Sequence, residues 1–526
     1  MGGAYSRRPV VNSVVDTRLG KVRGISAARV HVFKGIPYGD STSGARRFLP
    51  PAPARPWTGV REATAFGPIC PQTGALVDRA QSDARVVGVS PLLPQSEDCL
   101  SLNLWTPGVG DGRKRPVMVW LHGRGFGAGA GSETWYDGTR LSRRGDVVVI
   151  TVNHRLNVFG YLHLSDLAGA TFAGSGVAGM LDVVLALEWV RDNVQAFGGD
   201  PANVTVFGES GGGAKVSTLL ALPEAKGLFH KAVIQSGPGL RGVAAEDATA
   251  LAARLLDHLH VSRSAAHELQ SLAPARLLEA VDALSMSGRG AAPMGRGGNL
   301  MRLAPVVDGA RFPRHPFVPD VAPTSFGVPV MIGTNLDEFA MFLAADKRRR
   351  RLTDEELRLR VAPLLGEKLD QVLAVYRRTR PEATPWDLLI AVSSETTHIA
   401  SRVLADRKVA ADPATPLYMY LFTWQSDFMG GLFKAAHALE IPFVFDNCEL
   451  VPFTGARLDK GALAEAMSEA WIAFARSGNP SHAGIPSWPG YTPQRRDTMI
   501  FDVPCRVEAD PRREEIDAWK GIPLRR

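Results

Sequence analysis

One stretch of the sequence decides the fold: Val204-Thr205-Val206-Phe207-Gly208-Glu209-Ser210-Gly211-Gly212-Gly213. Its first four residues are β-branched or aromatic, which is typical of a buried strand. The next five match G-x-S-x-G, and a helical segment follows, so a strand, a tight turn and a helix are predicted in that order. A serine in such a turn stands at a helix N-terminus, where backbone N–H groups and the helix dipole favour negative charge. Ser210 is therefore a candidate nucleophile.

Apolar runs that could form strands alternate with helical segments on both sides of this stretch. Near-continuous apolar runs of three to seven residues are typical of a sheet that is covered on both faces. This pattern predicts an α/β protein with a mostly parallel central sheet, in one domain spanning residues 1–526. We expect helical insertions at about 245–325 and 345–410, where Thr353-Asp354-Glu355-Glu356 forms a capping box. The predicted strands are 117–121, 147–153, 204–207, 232–235, 330–332 and 417–422, and the predicted helices are 181–194, 212–221 and 462–476.

The composition excludes several classes of protein. Of the 526 residues, 45% are hydrophobic and 21% are charged, which rules out a disordered chain. The net charge of +7 is mild for this length, so we expect no nucleic-acid partner. No apolar run reaches the 18 or so residues that span a bilayer. No apolar segment follows the basic residues Arg7 and Arg8, so we expect no signal peptide and favour a cytoplasmic protein, with secretion as the alternative.

A serine hydroxyl needs a neighbouring base, which is usually a histidine oriented by a carboxylate. In folds with this elbow the chain order is serine, acid, histidine. Composition alone does not select the base, because many histidines follow the elbow. The histidines after Ser210 are His230, His258, His260, His267, His315, His398, His437 and His482.

An oxyanion hole requires N–H donors aimed at the developing negative charge. One donor follows the nucleophile, at Gly211, and others are expected in the loop His122-Gly123-Arg124-Gly125-Phe126 after the strand 117–121. The alternative is a dinucleotide-binding loop, because the spacing from Gly123 to Ala128 also fits G-x-G-x-x-A. That fit is poor: the acid about twenty residues on, Asp146, precedes a strand rather than ending one. The oxyanion interpretation is favoured.

The motifs together resemble the type-B carboxylesterase family, which includes the cholinesterases, over residues of about 12 to 520. The resemblance implies an α/β-hydrolase fold and a serine esterase that acts through an acyl-enzyme on small to medium carboxylic esters, with no metal or cofactor. The alternatives within this group are a catalytically silent binding or adhesion protein, and a lipase or amidase using the same chemistry. The motifs that carry the resemblance, besides the elbow, are Phe33-Lys34-Gly35-Ile36-Pro37-Tyr38, Arg47-Phe48-Leu49-Pro50-Pro51, Ser96-Glu97-Asp98-Cys99-Leu100-Ser101-Leu102-Asn103 and Phe197-Gly198-Gly199-Asp200-Pro201.

The resemblance also implies roles for individual residues. Ser210 matches the nucleophile, Glu338 the acid and His437 the base. Asp337 stands beside Glu338, and spacing alone does not decide between the two carboxylates. The implied oxyanion donors are the N–H groups of Arg124, Gly125 and Gly211.

This chain departs from the family at the oxyanion hole. Arg124 stands where the family usually has glycine, and a non-glycine residue is strained there if its φ is positive. Gly211 stands where the family usually has alanine, which leaves the turn more flexible. We considered two positions for the Arg124 side chain. It either reaches into the site and favours substrates that carry a carboxylate, or it extends to solvent.

Further expectations concern the surroundings of the site. Apolar residues beside the motifs are expected either to line a substrate pocket or to face the core. The resemblance implies a disulfide between Cys70 and Cys99, which in a reducing cytosol would stay as two thiols. It also implies ion pairs between Arg47 and Glu97 and between Arg155 and Asp182. The pocket candidates are Phe126, Phe339, Met341 and Phe342.

Overall fold

The protein is built around one large twisted sheet. The structure, a computed structural model, describes residues 11–27, 29–73, 93–287, 303–348 and 351–523. The strands are β1 (Val11–Thr17), β2 (Gly20–Ala27), β3 (Val30–Pro37), β4 (Val60–Glu62), β5 (Ser101–Thr106), β6 (Arg115–Leu121), β7 (Val148–Val152), β8 (Gly199–Glu209), β9 (Lys231–Gln235), β10 (Val243–Ala244), β11 (Val306–Val307), β12 (Val330–Asn335), β13 (Leu417–Phe422), β14 (Asp497–Phe501) and β15 (Arg506–Ala509).

The sheet has a parallel centre and antiparallel edges. Its strand order is β1-β2-β3-β5-β7-β6-β8-β9-β12-β13-β14-β15, with β4 beside β2, while β10 and β11 form a separate pair. All neighbours from β7 through β14 run parallel. The strands β1 to β5 pair antiparallel with their sheet neighbours, apart from β4, and β15 pairs antiparallel with β14. The predicted α/β class with a mostly parallel central sheet is confirmed.

Helices cover both faces of the sheet, which explains why most residues of the central strands are buried. All of the predicted strands and helices are present, with ends that differ by a few residues. The helices of five or more residues are α1 (Thr139–Gly145), α2 (Asn157–Tyr161), α3 (Ala178–Asn193), α4 (Gly211–Leu219), α5 (Ala245–His258), α6 (Pro274–Ser287), α7 (Phe339–Leu343), α8 (Asp354–Leu365), α9 (Leu369–Thr379), α10 (Pro385–Ala411), α11 (Lys460–Ser477) and α12 (Arg513–Ala518).

Local sequence signals explain several of these elements. The predicted capping box opens α8: the Thr353 hydroxyl accepts the N–H of Glu356, whose carboxylate accepts the N–H of Thr353.

Among the described residues, one helical segment, Ala170–Phe197, is apolar and long enough to cross a membrane. Its most apolar window is 83% buried inside the protein, which is the pattern of a core helix.

The parallel strands place the motifs at one edge of the sheet. The Gly-rich loop follows the carboxyl end of β6, Ser210 that of β8, and the Asp337-Glu338 pair that of β12. β6 and β8 are neighbours in the sheet, and β9 separates β8 from β12. Ligand sites in open α/β sheets occur at this edge. The two expected ion pairs lie nearby and are buried: Arg47 with Glu97 at 2.6 Å and Arg155 with Asp182 at 2.6 Å. The first pair joins two loops, and the second joins the segment after β7 to α3.

Candidate active site

Ser210 occupies a strained turn between β8 and α4. Its φ is 55° and its ψ is −119°, a conformation that L-residues rarely adopt. A Cβ added at Gly208 would lie 2.6 Å from the carbonyl oxygen of Leu121, and one added at Gly212 would overlap that same oxygen. The small residues of G-x-S-x-G are therefore required by close backbone approach. Ser210 itself remains partly exposed, and its N–H donates to the carbonyl of Gln235 at 2.8 Å.

His437 is held by the carboxylate of Glu338. The Nδ1 atom is hydrogen-bonded to Glu338 Oε2, while Glu338 Oε1 accepts the N–H of Asn335 at 2.9 Å. Asp337 instead accepts the N–H of Ala435 at 3.2 Å and so joins the acid loop to the segment that carries the histidine. The geometry therefore assigns the contact with the imidazole to Glu338 and not to Asp337.

A second carboxylate, which sequence reasoning missed, faces the other ring nitrogen. Nε2 of His437 lies 3.1 Å from Oε1 of Glu209. No hydrogen bond joins Nε2 to the Ser210 hydroxyl in the part of the chain that the structure describes. Such bonds often tighten only when substrate is bound. The available signal for Glu209 was its place in the motif, a carboxylate at the end of a buried strand and directly before the nucleophile.

The imidazole lies within a buried acidic cluster of Glu209, Glu338 and Glu440. Burial lowers the pKa of His437, but the three carboxylates outweigh burial and raise it to about 9. Burial raises the pKa of Glu209 well above its usual range, although the positive charge of His437 lowers that pKa. Burial and the charge of Glu338 raise the pKa of Glu440 to about 7. For Glu338 itself burial is outweighed by the facing imidazolium, so its pKa is lowered. The site therefore favours a protonated imidazole bonded to the ionised carboxylate of Glu338, while burial favours the protonated form of Glu209.

The Gly-rich loop after β6 lies against the N-terminus of α4. A Cβ added at Gly123 would lie 3.6 Å from Cβ of Ser210. A Cβ added at Gly211 would overlap the backbone of Gly125, so the loop approaches the helix more closely than an alanine would permit. The structure thus brings the backbones of Arg124, Gly125 and Gly211 together around Ser210. A 3₁₀ turn, Thr134–Tyr136, follows this loop instead of the helix that a dinucleotide site would need.

Arg124 has a φ of 62°, so the strain expected for a non-glycine residue at this position is present. Its guanidinium Nε lies 3.2 Å from Oε1 of the buried Glu133. Glu133 also accepts the indole N–H of Trp135 at 2.7 Å. The side chain is thus paired with an internal carboxylate, a position that neither of our two expectations described. Because Glu133 already neutralises its charge, the preference for carboxylate-bearing substrates is not retained.

The four pocket candidates separate in space. The Phe342 ring lies 5.1 Å from the His437 ring and is 49% exposed, and Phe339 lies 5.4 Å from Phe342. Phe126 packs edge-on against the Tyr161 ring at 5.2 Å. Met341 packs against the hydrophobic core, as in the alternative that we left open for these residues.

Cys70 and Cys99 are free, buried thiols in the structure, which is the second of the two states that the sequence left open for this pair. They remain neighbours: a hydrogen bond to Cys70, together with burial, raises the pKa of Cys99 well above its usual range. The Cys70 sulfur also accepts the N–H of Leu156 at 3.2 Å. Within the described ranges, no group of three or more His, Cys, Asp or Glu side chains is arranged to hold a metal ion.

Comparison with known proteins extends the resemblance to the whole chain. Residues 11–519 match the Carboxylesterase family. The para-nitrobenzyl esterase of Bacillus subtilis is 36% identical, covering 96% of this chain and 98% of that protein. The phenmedipham hydrolase of Pseudarthrobacter oxydans is 32% identical, covering 92% of this chain and 93% of that protein.

Solved structures show the same architecture. The Geobacillus stearothermophilus carboxylesterase EST55 at pH 6.2 superposes with a TM-score of 0.81 at 40% identity, covering 96% of this chain and all of that one. A Clostridium hathewayi esterase, described as able to hydrolyse aliphatic aromatic polyesters, gives 0.81 at 35% identity, covering 98% and 100% of the two chains. These matches confirm the α/β-hydrolase fold. The chain therefore belongs to the carboxylesterase family and is a carboxylic ester hydrolase.

Proposed function

We propose that ester hydrolysis by this chain proceeds through an acyl-enzyme on Ser210. The single observation that carries the proposal is the convergence of three chain segments at one sheet edge: the strained Ser210 turn, the Glu338 carboxylate and the His437 imidazole bonded to it. This arrangement supplies a nucleophile, an orienting acid and a base in the order that the fold requires.

The base must be neutral when it takes the Ser210 proton. His437 then becomes an imidazolium, which Glu338 and Glu209 stabilise from its two ring nitrogens. The Ser210 oxygen bonds to the ester carbonyl carbon, and His437 returns the proton to the departing alcohol oxygen. Water, deprotonated by His437, then attacks the carbonyl carbon of the acyl-enzyme. The resulting tetrahedral intermediate collapses, the acid leaves, and His437 returns the proton to the Ser210 oxygen.

The negative oxygen of each tetrahedral intermediate is stabilised by the N–H groups of Arg124, Gly125 and Gly211. The close approach of Gly125 to Gly211 supports this role, because it brings the loop backbone against the N-terminus of the helix that begins beside Ser210. Removal of one such donor in related chemistry costs about 10²- to 10³-fold in kcat. No step requires a metal or a cofactor.

The substrates we propose are small to medium esters with an apolar group. Phe342 supports this choice, because its half-exposed ring stands over His437, where the acyl or alcohol part of a substrate would lie. The names of the two bacterial relatives, a para-nitrobenzyl esterase and a phenmedipham hydrolase, also support this choice.

The test is hydrolysis of p-nitrophenyl esters from acetate to decanoate by wild type and Ser210→Ala. We expect activity in the wild type and a loss of about 10⁴- to 10⁶-fold in kcat in the variant. Ser217→Ala is the matched control, because Ser217 lies on the same helix but donates to the carbonyl of Gly213. It should keep wild-type rates within about threefold. A folded wild type that hydrolyses none of the esters, or an active Ser210→Ala, would contradict the proposal.

A further inference from the structure

A lysine is buried against the oxyanion loop, and the proposed chemistry does not use it. Lys215 lies on α4, five residues after Ser210, and is completely buried. Its Nζ donates to the carbonyl oxygen of His122 at 2.9 Å and to that of Gly125 at 2.8 Å. The ammonium group also lies 5.3 Å from the centre of the Phe126 ring. One side chain therefore contacts both ends of the loop.

The loop between these two carbonyls needs external support. Arg124 and Gly125 have φ values of 62° and 63°, so two successive residues are left-handed. That conformation is strained for a non-glycine residue such as Arg124. A peptide plane carries its C=O and the following N–H in fixed opposite directions, so a bond to the carbonyl also fixes the N–H. The bonds from Lys215 thus fix the peptide planes on either side of the donor residues.

Burying the ammonium group of Lys215 costs free energy, because it removes the charge from water. The hydrogen bonds of Lys215 must offset that cost. Burial lowers its pKa to about 7, while the carboxylate of Glu209 opposes this shift. The imidazoles of His122 and His154 are stacked at 4.8 Å and are the other titratable groups that Lys215 influences. Burial lowers the pKa of both histidines, so they add no positive charge at neutral pH. Glu209 is the acidic group that faces the lysine, and it also contacts His437.

We propose that Lys215 is a positioning residue of the oxyanion hole: its two hydrogen bonds to the carbonyls of His122 and Gly125 hold the loop so that its N–H groups face the reacting carbonyl. This inference rests on the proposed function of Ser210 and of the loop. Lys215 touches neither the substrate nor the reacting atoms in this account. It acts through the backbone of residues 123–125, and its loss should affect the transition state more than substrate binding.

The test uses Lys215→Met, which keeps the length of the side chain and removes its donors. We expect kcat for p-nitrophenyl butyrate to fall about 100-fold, with KM within about threefold of wild type. A trifluoromethyl ketone forms a hemiketal whose oxygen occupies the same hole. Its inhibition constant should therefore rise by about the factor that kcat/KM falls. Binding of butyrate, the product, should change little, since that carboxylate needs no oriented oxyanion donors.

Lys408→Met is the matched control. Lys408 is similarly buried, and its Nζ donates to the carbonyl of Ser325 at 2.9 Å and to the carboxylate of Asp412 at 2.6 Å, away from the site. This control should lose thermal stability and keep wild-type kinetics. If Lys215→Met is poorly folded, Lys215→Gln is tested in its place. Glutamine keeps an N–H donor, so this variant should keep part of the wild-type rate.

Two outcomes would overturn the role of Lys215. One is a folded Lys215→Met enzyme with wild-type kcat and wild-type ketone inhibition. The other is an equal loss of activity in the Lys215 and Lys408 variants, in proportion to their loss of stability. Either result concerns Lys215 alone, provided that the wild type hydrolyses the ester and Ser210→Ala does not. A wild type without activity would instead contradict the proposed function.

Discussion

Replacing Glu209 with glutamine should shift the pH dependence of hydrolysis to lower pH. Glu209 Oε1 lies 3.1 Å from Nε2 of His437 and stabilises the imidazolium there. The free enzyme needs a neutral imidazole, and the pKa of His437 is raised to about 9. At pH 7 only about 1% of the enzyme then carries a neutral base, and kcat/KM rises as pH approaches 9. Removing the carboxylate disfavours the imidazolium, so the variant should reach its plateau at lower pH.

The size of the shift follows from the contact distance. Two full charges 3.1 Å apart interact by about 5 kcal/mol at an effective dielectric constant near 20. The realised effect is smaller, because burial raises the pKa of Glu209 and the carboxylate itself takes up protons over part of the range. Close opposite charges usually shift a pKa by about 1 to 3 units. We therefore expect the ascending limb of the Glu209→Gln variant to move down by at least about one pH unit.

The assay is kcat/KM for p-nitrophenyl butyrate between pH 5 and about 10. Glu440→Gln is the matched control, because Glu440 is also buried in the cluster but bonds to Asn335 and Gln235. It should shift the limb in the same direction by a smaller amount. An unchanged limb in Glu209→Gln, or a shift to higher pH, would refute the electrostatic role of Glu209.

Three further predictions concern other parts of the molecule. Gly211→Ala adds a Cβ that overlaps the Gly125 backbone, so the oxyanion loop must withdraw by about 1 Å. The kcat of this variant should fall about 10- to 100-fold with little change in KM. An unchanged kcat would contradict this prediction. Phe342→Ala removes the exposed ring over the base and should raise KM more for decanoate than for acetate esters, whereas a uniform change would argue against a pocket role. Burial raises the pKa of Glu395, but the charge of Arg512, together with the contacts from His398 and Tyr376, outweighs burial and lowers the pKa from 4.5 to about 2. Glu395 therefore contributes about 3 kcal/mol of stability above pH 4.5 that is lost as pH falls toward 2. Urea unfolding at pH 7 and pH 3 should show a smaller acid loss in Glu395→Gln than in wild type, and an equal loss would refute the assignment.

The parts of the site that sequence predicted are those set by local geometry. The turn at Ser210 follows from residues 208–212, because only small residues fit against the Leu121 backbone. The positive φ of Arg124 follows similarly from its place in a glycine-rich loop. Glu338 and His437 came from the resemblance, since spacing did not separate Glu338 from Asp337. The structure shows that, of these two carboxylates, Glu338 is the one that contacts the imidazole.

The parts that sequence missed depend on contacts between distant segments. Glu209 meets His437 across 228 positions of the chain, and Lys215 meets His122 across 93. No periodicity indicates which buried carbonyl a lysine on α4 will reach. The pairing of Arg124 with Glu133 was missed for a related reason: they are nine residues apart in irregular structure, where spacing fixes no direction. Such polar contacts are decided by packing and not by local propensity.

The most direct test of the account is the mass of the enzyme during turnover. Wild type is mixed with p-nitrophenyl butyrate, quenched in acid within the first turnovers, digested and analysed by mass spectrometry. We predict one butyryl group on the peptide that contains Ser210, appearing with the burst of p-nitrophenol, and no such adduct in Ser210→Ala. A butyryl group on a different residue of the wild type, or hydrolysis at wild-type rate without an adduct at Ser210, would contradict the acyl-enzyme mechanism.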